Sequence, residues 1–323
     1  MLLVSAVDID ATLDYAGLVE TLRASFRNGA VQPVRHHHTI ERPGASPSTL
    51  LLMPAWTDFS SQDASRPGYV GVKIVTVSPD NNVLGKPAVM GQYFLLNGAT
   101  GEPLALIDGP RLTQWRTACA SALAATYLAR SDSSKLLIVG AGALSAFLAR
   151  AHACVRPIRH IRVWNRTGAN AQRVAASLES EGFDAVATDD LEASLGWADI
   201  VSAATISAKP LVIGRALKPG IHVDLVGGFT PDMREADDET VQRANVYVDT
   251  RAGATKEAGD IVQPLASGIL KTGAIVGDLY ELARAQVSGR TSDTEITLFK
   301  SVGAALEDLA AGVAVYEKLK TQG

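Results

Sequence analysis

Cysteine is scarce in this chain: there are two in 323 residues, Cys119 and Cys154, in neither a CxxC pair nor a metal-ligand spacing. That excludes a disulfide-stapled fold and fits a reducing, cytoplasmic setting. An excess of one charge is also lacking. Net charge is −4 and the isoelectric point is near 5.9, which argues against a nucleic-acid-binding chain. The longest apolar runs are broken by Gly or Asp, so no membrane span is expected. The start, MLLVSAVDID, has no basic region ahead of a long apolar core and does not read as a signal peptide. His36, His37 and His38 suggest a metal at first sight. Successive strand residues face opposite ways, however, and no Cys or carboxylate cluster completes a ligand set, so no metal is expected. What is plentiful is apolar surface: 47% of residues are hydrophobic, over a length sufficient for two domains.

The chain is organised around residues 135–167, KLLIVGAGALSAFLARAHACVRPIRHIRVWNRT. Residues 136–139 read as a buried parallel strand. Gly140-Ala141-Gly142 follows, a helix is predicted from near Ala143, and 161–164 read as a second strand. This order seats a pyrophosphate on a helix N-terminus. Gly140 allows the tight turn, Gly142 lets the backbone approach the phosphates, and Ser145 stands at the usual third glycine. A lone GxG is weak, but between a clean strand and a clean helix it points to a dinucleotide rather than a structural turn. NAD sites place Asp or Glu at the end of the second strand; here the residues are Asn165-Arg166-Thr167. No carboxylate there repels a 2′-phosphate, and Arg166 could pair with one. NADPH is therefore favoured, with NADH as the alternative if Arg166 is simply a solvated loop arginine.

Ahead of this unit, 2–7 read as a strand and 11–28 as an amphipathic helix with Leu13, Leu18, Leu22 and Phe26 on one face. Residues 49–54, 69–78 and 92–108 look like strands joined by polar turns, which suggests an antiparallel sheet for substrate binding and dimer contact. After it, helices over 169–182 and 191–197 alternate with strands over 185–188, 200–205, 222–226 and 246–248. That alternation is a doubly wound sheet, whose ligand crevice lies at the carboxyl ends of the strands, where Thr205 and Gly227 fall. A long helix after Gly303 is expected to return to the first domain. The fold class expected is α/β: a Rossmann-type doubly wound sheet over 126–299, plus a sheet-rich α+β substrate and dimerisation domain over 1–125, completed by about 300–323.

Three cations stand out. Lys73 sits in an otherwise apolar strand, GYVGVKIVTV, where burial is costly unless it meets an anion. Arg42 lies in ERPG at the end of an earlier strand. Arg116, in LTQWRTACASALAATYLA, is placed near the start of a helix capped by Thr113. A cation there opposes the helix dipole, which suggests a ligand anion. The alternative is that each cation pairs with a local acid. Asp232 and Asp260 are weaker candidates for contact with water or substrate, set against plainer roles in turns and caps.

Taken in order, VKIVTVSPDN, RTACASALAA, Gly140-Ala-Gly142-Ala143, Asn165-Arg166-Thr167, KEAGD and FKSVG resemble the ornithine cyclodeaminase/mu-crystallin family, over most of residues 40–310. The resemblance implies a homodimer, a Rossmann domain with a separate sheet-rich domain, and reactions at an amino- or imino-acid carbon. It implies that Arg42, Lys73 and Arg116 hold the substrate carboxylate, and that Ala143, Leu144, Asn165, Arg166, Thr167, Thr205 and Ser301 contact the cofactor. Two departures matter. Ornithine cyclodeaminases carry Glu two residues before Met-Pro, where this chain has Leu51, and Asp in GGDCPGKTE, where it has Phe229 in GGFTPDMRE. Those carboxylates serve the amino groups of a diamine. Without them the chain looks like the branch that reduces cyclic imines, the Δ1-pyrroline-2-carboxylate reductases. This implies NAD(P)H-dependent hydride transfer to C2 of Δ1-pyrroline-2-carboxylate, or of its six-membered counterpart Δ1-piperideine-2-carboxylate, giving L-proline or L-pipecolate. Lys73 would contact the carboxylate and relay protons. Ornithine cyclodeaminase, alanine dehydrogenase and a mu-crystallin-like small-ligand binder are the alternatives.

Overall fold

The computed structural model describes residues 1–60 and 68–321. The chain divides into two compact units, 1–116 with 304–323, and 117–303.

The first unit opens with β1 (Leu2–Val4), α1 (Ala6–Thr12) and α2 (Tyr15–Asn28). The strand predicted over 2–7 stops at Val4, because Ser5 and Asp8 form a reciprocal capping box that starts a helix. The helix predicted over 11–28 begins only at Tyr15, where the Asp14 carboxylate accepts from the Gly17 N–H at 2.7 Å. Leu18, Leu22 and Phe26 form its buried face. Next come β2 (His36–Ile40), β3 (Ser48–Trp56), β4 (Tyr69–Val77), β5 (Val89–Asn97) and β6 (Pro103–Asp108). The stretch 92–108 is thus two strands, broken by a turn in which Gly101 takes φ +73°. The sheet order is β1-β6-β5-β4-β3-β2. β2 to β6 pair antiparallel, but β1 joins β6 in parallel, so the sheet is mixed rather than purely antiparallel.

Strand alternation puts Met53, Ala55, Lys73, Tyr93, Leu95 and Ile107 on the buried face of this sheet. The C-terminal helix, Ala305–Lys320, lies against β3, β4 and β5. It approaches closely because two glycines admit the Tyr93 ring. A Cβ on Gly71 would lie 1.8 Å from the Tyr93 hydroxyl, and one on Gly312 would lie 2.6 Å from its ring. The opposite face presents Pro54, Val72, Phe94 and Leu106 in one register row, flanked by Leu52 and Ile74. That face is only partly covered, and Ile74 is 42% exposed.

β6 leads into α3 (Gly109–Leu128), within which the division falls. The second unit continues with β7 (Lys135–Val139), α4 (Ser145–Val155), β8 (His160–Trp164), α5 (Gly168–Ser180), β9 (Asp184–Thr188), α6 (Leu191–Trp197), β10 (Ile200–Ala203) and β11 (His222–Leu225). It ends with α7 (Asp238–Arg243), β12 (Ala244–Val248), α8 (Arg251–Glu257), α9 (Gly259–Ala266), β13 (Ile275–Asp278), α10 (Leu279–Ala283) and β14 (Ile296–Lys300). The order is β13-β12-β14-β11-β10-β7-β8-β9, and each recorded pair is parallel. Chain direction across the sheet reverses between β7 and β10, which places the crevice at their carboxyl ends. Leu137, Val139, Val201, Val223, Leu225 and Leu298 fill the core beneath it. β13 and β14 are not evident in the sequence: β13 is four residues including Gly277, and β14 is buried at every position, so it shows no alternation.

The His36–Ile40 strand is exposed throughout, and the His36 and His38 rings meet edge-on at 6.3 Å. Among the described residues no His, Cys, Asp and Glu group is placed to hold a metal ion. No described helix is long and apolar enough to cross a membrane.

Candidate functional site

In the first unit, Lys73 and Arg116 converge on acids from the C-terminal helix. Lys73, on β4, is 4% exposed, and its Nζ lies 2.8 and 3.0 Å from the two Asp308 oxygens. The Arg116 Nε donates to Asp308 Oδ1 at 3.0 Å and one Nη donates to Glu307 Oε2 at 2.7 Å. The other Nη lies outside that pairing. Both cations thus have acid partners, buried with them but distant in the sequence. Removing so many charges from water costs several kcal/mol per ion, which such a cluster repays only through close pairing. Burial pushes the Lys73 ammonium down to about 8, helped by Arg116 and Arg35 and opposed by Asp308. Burial alone would raise Asp308, but Arg116 and Lys73 outweigh it and hold the carboxyl below its ordinary value.

The helix dipole does not explain Arg116. Asp108, not Thr113, caps α3, accepting from the Arg111 N–H at 2.8 Å, so Arg116 lies two turns inside the helix. Arg42 is placed elsewhere: it is 32% exposed, donates to the Ser46 carbonyl at 2.7 and 3.0 Å, and pairs with Asp80 at 3.3 Å. The arginine that acts on Lys73 besides Arg116 is Arg35, half-buried just before β2. Two residues of this cluster, Glu307 and Asp308, are absent from the sequence-based candidates, as is Arg35. A signal was present for the two acids. LEDLAAG places adjacent carboxylates in a run of Leu, Ala and Gly too apolar for a solvated helix face, but acids in a first turn also suit the helix dipole and look ordinary.

In the second unit, the Gly140–Ser145 turn has a geometry that could receive a phosphate. Gly140 takes φ +106°, and a Cβ there would lie 2.8 Å from the Ala204 carbonyl oxygen. A Cβ on Gly142 would meet nothing within 4 Å, so the loop is open on that side. The helix starts at Ser145 rather than Ala143, because the Ser145 hydroxyl bonds back to the Gly140 and Gly142 carbonyls, both at 2.9 Å. Ala143 is exposed and Leu144 half-buried ahead of the first helical turn, whose backbone N–H groups would suit an anion. The Asn165 side chain accepts from the Ala141 N–H at 3.2 Å and donates to the Thr167 carbonyl at 3.0 Å, tying the glycine turn to the end of β8. Arg166 and Thr167 are exposed beside it. These residues fit a dinucleotide.

Beyond β10 and β11, Thr205 and Gly227 are held from beneath by Glu235. Its Oε1 accepts from the Thr205 N–H at 2.7 Å and hydroxyl at 2.9 Å; its Oε2 accepts from the N–H groups of Gly227 at 2.7 Å and Gly228 at 3.2 Å. Asp260 in turn accepts from the Glu235 and Ala236 N–H groups at 2.7 and 2.9 Å and is 1% exposed. That is a fold-holding role, so water or substrate contact by Asp260 is not supported. Asp232 is exposed. Ser301 is 1% exposed and donates to Asp249, which also accepts from the Val302 and Gly303 N–H groups at 2.7 Å.

Comparison with known proteins sets these two constellations in context. The chain is 40% identical over 291 residues to the Δ1-pyrroline-2-carboxylate reductase of Paracoccus denitrificans, covering 90% of this chain and 91% of that one. The structure of the Thermococcus litoralis Δ1-pyrroline-2-carboxylate reductase, in complex with NADH and L-proline, superposes with a TM-score of 0.92 at 32% identity, covering 100% of this chain and 98% of that one. An archaeal alanine dehydrogenase dimer with bound NAD superposes at 0.89 and 27% identity, covering 100% and 97%. The model of the ornithine cyclodeaminase/mu-crystallin family matches residues 1–323. With buried cations on a mixed sheet, a glycine cradle on a parallel one, and this match from end to end, the chain belongs to the ornithine cyclodeaminase/mu-crystallin family.

Proposed function

We propose that this protein is a nicotinamide-dependent reductase of Δ1-pyrroline-2-carboxylate, with Δ1-piperideine-2-carboxylate as a second substrate, producing L-proline or L-pipecolate. The observation that carries the reading is the buried cluster on β4 and α3. Two buried cations, Lys73 and Arg116, meet there on one carboxylate, Asp308, with Glu307 beside it, an arrangement that suits a substrate carboxylate. The first unit is the substrate and dimerisation unit; the second is the dinucleotide unit. The relatives' names supply the substrate class.

Arg116 would bind the carboxylate through the Nη outside its acid pairing, a charge-assisted bond that fixes the ring. Lys73 would complete the grip and exchange a proton with the imine nitrogen or with water beside it, since an ammonium near pKa 8 gives up its proton readily. Asp308 keeps that ammonium charged at neutral pH. A bound reduced nicotinamide would supply hydride to C2 of the protonated C=N. Hydride addition at C2 would turn the iminium into the amine and leave the carboxylate, held by Arg116 and Lys73, unchanged. NADPH is the preferred cofactor in this reading, because Arg166 stands exposed at the end of β8 in a segment with no carboxylate.

The half-covered apolar row Pro54, Val72, Phe94 and Leu106 supports a homodimer built on this sheet face, and the alanine dehydrogenase relative is a dimer. Val72→Lys should then give a monomer by sedimentation; an unchanged oligomer would remove that assignment. Two unlinked cysteine positions outside any metal spacing fit a cytoplasmic enzyme.

Loss of reduced-nicotinamide absorbance with Δ1-pyrroline-2-carboxylate, and none with ornithine or with pyruvate plus ammonia, is the expected result. Ammonia release from ornithine without that loss would replace the reductase by a cyclodeaminase, despite Leu51 and Phe229.

A further inference from the structure

Three segments that carry the family resemblance, GGFTPDMRE, KEAGD and FKSVG, meet at one buried point in the second unit. Each contributes one charged side chain: Glu235, Asp260 and Lys300, all 1% exposed or less. Lys300 Nζ lies 3.2 Å from Asp260 Oδ2 and 3.7 Å from Glu235 Oε2. The neighbouring glycines are what make this packing feasible. A Cβ on Gly227 would fall 2.5 Å from Glu235 Oε1, and one on Gly228 would fall 2.8 Å from Asp260 Oδ2. Glu235 takes four donors on its two oxygens, two from Thr205 and two from Gly227 and Gly228. One carboxylate therefore fixes the ends of two neighbouring strands, β10 and β11, at the crevice side of the sheet.

We propose that Glu235 is a positioning residue for the nicotinamide cofactor: clamped between Lys300 and the Asp260-held backbone, it sets Thr205 and Gly227–Gly228 in the geometry that receives the dinucleotide. The proposal rests on the reading that these two loops and the Gly140–Gly142 turn face one cofactor. It follows that Glu235→Gln, which keeps the shape but puts an amide NH2 where two donors converge, releases one of the two loops. The Kd for NADPH should rise at least tenfold. Turnover at saturating cofactor should stay within threefold of wild type, and the KM for the imino acid within twofold.

A protonation signature accompanies this. Burial raises Glu235 to about 7 against the pull of Lys300, with Asp260 adding to the rise. Lys300 from β14 and Asp260 from α9 are the charged groups that face it. Once protonated, Glu235 presents a hydroxyl to donors, so wild-type cofactor Kd should increase several-fold as pH falls from 8 to 6, and Glu235→Gln should lose that dependence. A merely structural residue would lower the melting temperature or the active fraction and leave both signatures unmoved.

The test is calorimetric titration of NADPH into the full-length protein at pH 6, 7 and 8, wild type against Glu235→Gln, with Ala143→Glu as a reference that puts a carboxylate at the glycine cradle. A pH-independent wild-type Kd, or a Glu235→Gln Kd equal to wild type while Ala143→Glu binds poorly, overturns the positioning role and leaves the cofactor site standing. Unimpaired binding in Ala143→Glu as well overturns the site reading itself. Wild-type titration with NADH, which has no 2′-phosphate to titrate in this range, decides the matter even where the variant does not fold: a Kd that rises several-fold from pH 8 to 6 supports the role and a constant Kd overturns it.

Discussion

The acid that most deserves substitution is Asp308, because two buried cations depend on it. Lys73 and Arg116 are 4% and 5% exposed and both bond to its carboxylate at 3.0 Å or less. Asp308→Ala leaves one ammonium short of its partner and the guanidinium with Glu307 alone. Breaking a buried pair from one side costs about 3–5 kcal/mol. At about 2–4 °C per kcal/mol for a chain region of this size, the melting temperature should fall by roughly 10 °C. Lys73→Met removes the other partner at much lower cost. Asp308 keeps Arg116, methionine fills the apolar part of the site, and the penalty should stay below about 2 kcal/mol. The double substitution Lys73→Met/Asp308→Leu should be more stable than Asp308→Ala alone, since it removes the orphaned ammonium. Differential scanning calorimetry on the three variants reads all of this. Equal losses from Asp308→Ala and Lys73→Met would refute the claim that Asp308 carries two cations.

Three further outcomes follow from the same geometry. Lys73 falls to about 8 through burial, so imine turnover should decline on the alkaline side near pH 8; Lys73→Arg, charged throughout, should move that limb beyond pH 9, and an unmoved limb would detach it from Lys73. Arg166→Ala should cut kcat/KM for NADPH about tenfold, the value of one charged hydrogen bond, and leave NADH within twofold; equal effects on both would return Arg166 to solvent. His222 is buried and pushed down from 6.5 to about 3, so the unfolded chain binds a proton that the folded one refuses. The His222 contribution to stability should therefore fall as pH drops below 6.5, by up to about 1.4 kcal/mol per unit, while Glu235, raised to about 7, contributes the opposite slope over the same range. The test is thus the difference between wild type and His222→Gln in the shift of the urea midpoint from pH 7 to 5.5, with wild type losing more.

The dinucleotide half was the more legible in the sequence, because its signals are local. Strand, glycine turn and helix occur in order within 30 residues, and the structure moves the helix start by only two, from Ala143 to Ser145. Backbone chemistry at Gly140 and Gly142 needs no distant partner. The half that holds Lys73 and Arg116 depends on contacts far apart in the chain. Lys73 stood out because a charge in GYVGVKIVTV must be answered, but its answer, Asp308, lies 235 residues away on a helix whose acids look ordinary. Arg42 and Arg35 flank the same strand, and only tertiary placement separates them: one pairs with Asp80 at the surface, the other acts on Lys73. Arg116 drew notice through a dipole argument that fails, since Asp108 starts the helix earlier. Glu235 was hidden for a related reason. Its four donors come from loops 7 to 30 residues away, and nothing in TPDMRE marks the glutamate as buried.

The central claim, hydride delivery to C2 of a cyclic imino acid, is tested most directly by isotope. Δ1-pyrroline-2-carboxylate would be reduced with NADPH carrying two deuterons at C4 of the nicotinamide, and the product examined by mass spectrometry and proton NMR. L-proline with one deuteron at C2, formed in step with cofactor oxidation, is the expected result. Proline without deuterium, or no proline except from ornithine with release of ammonia, would contradict it.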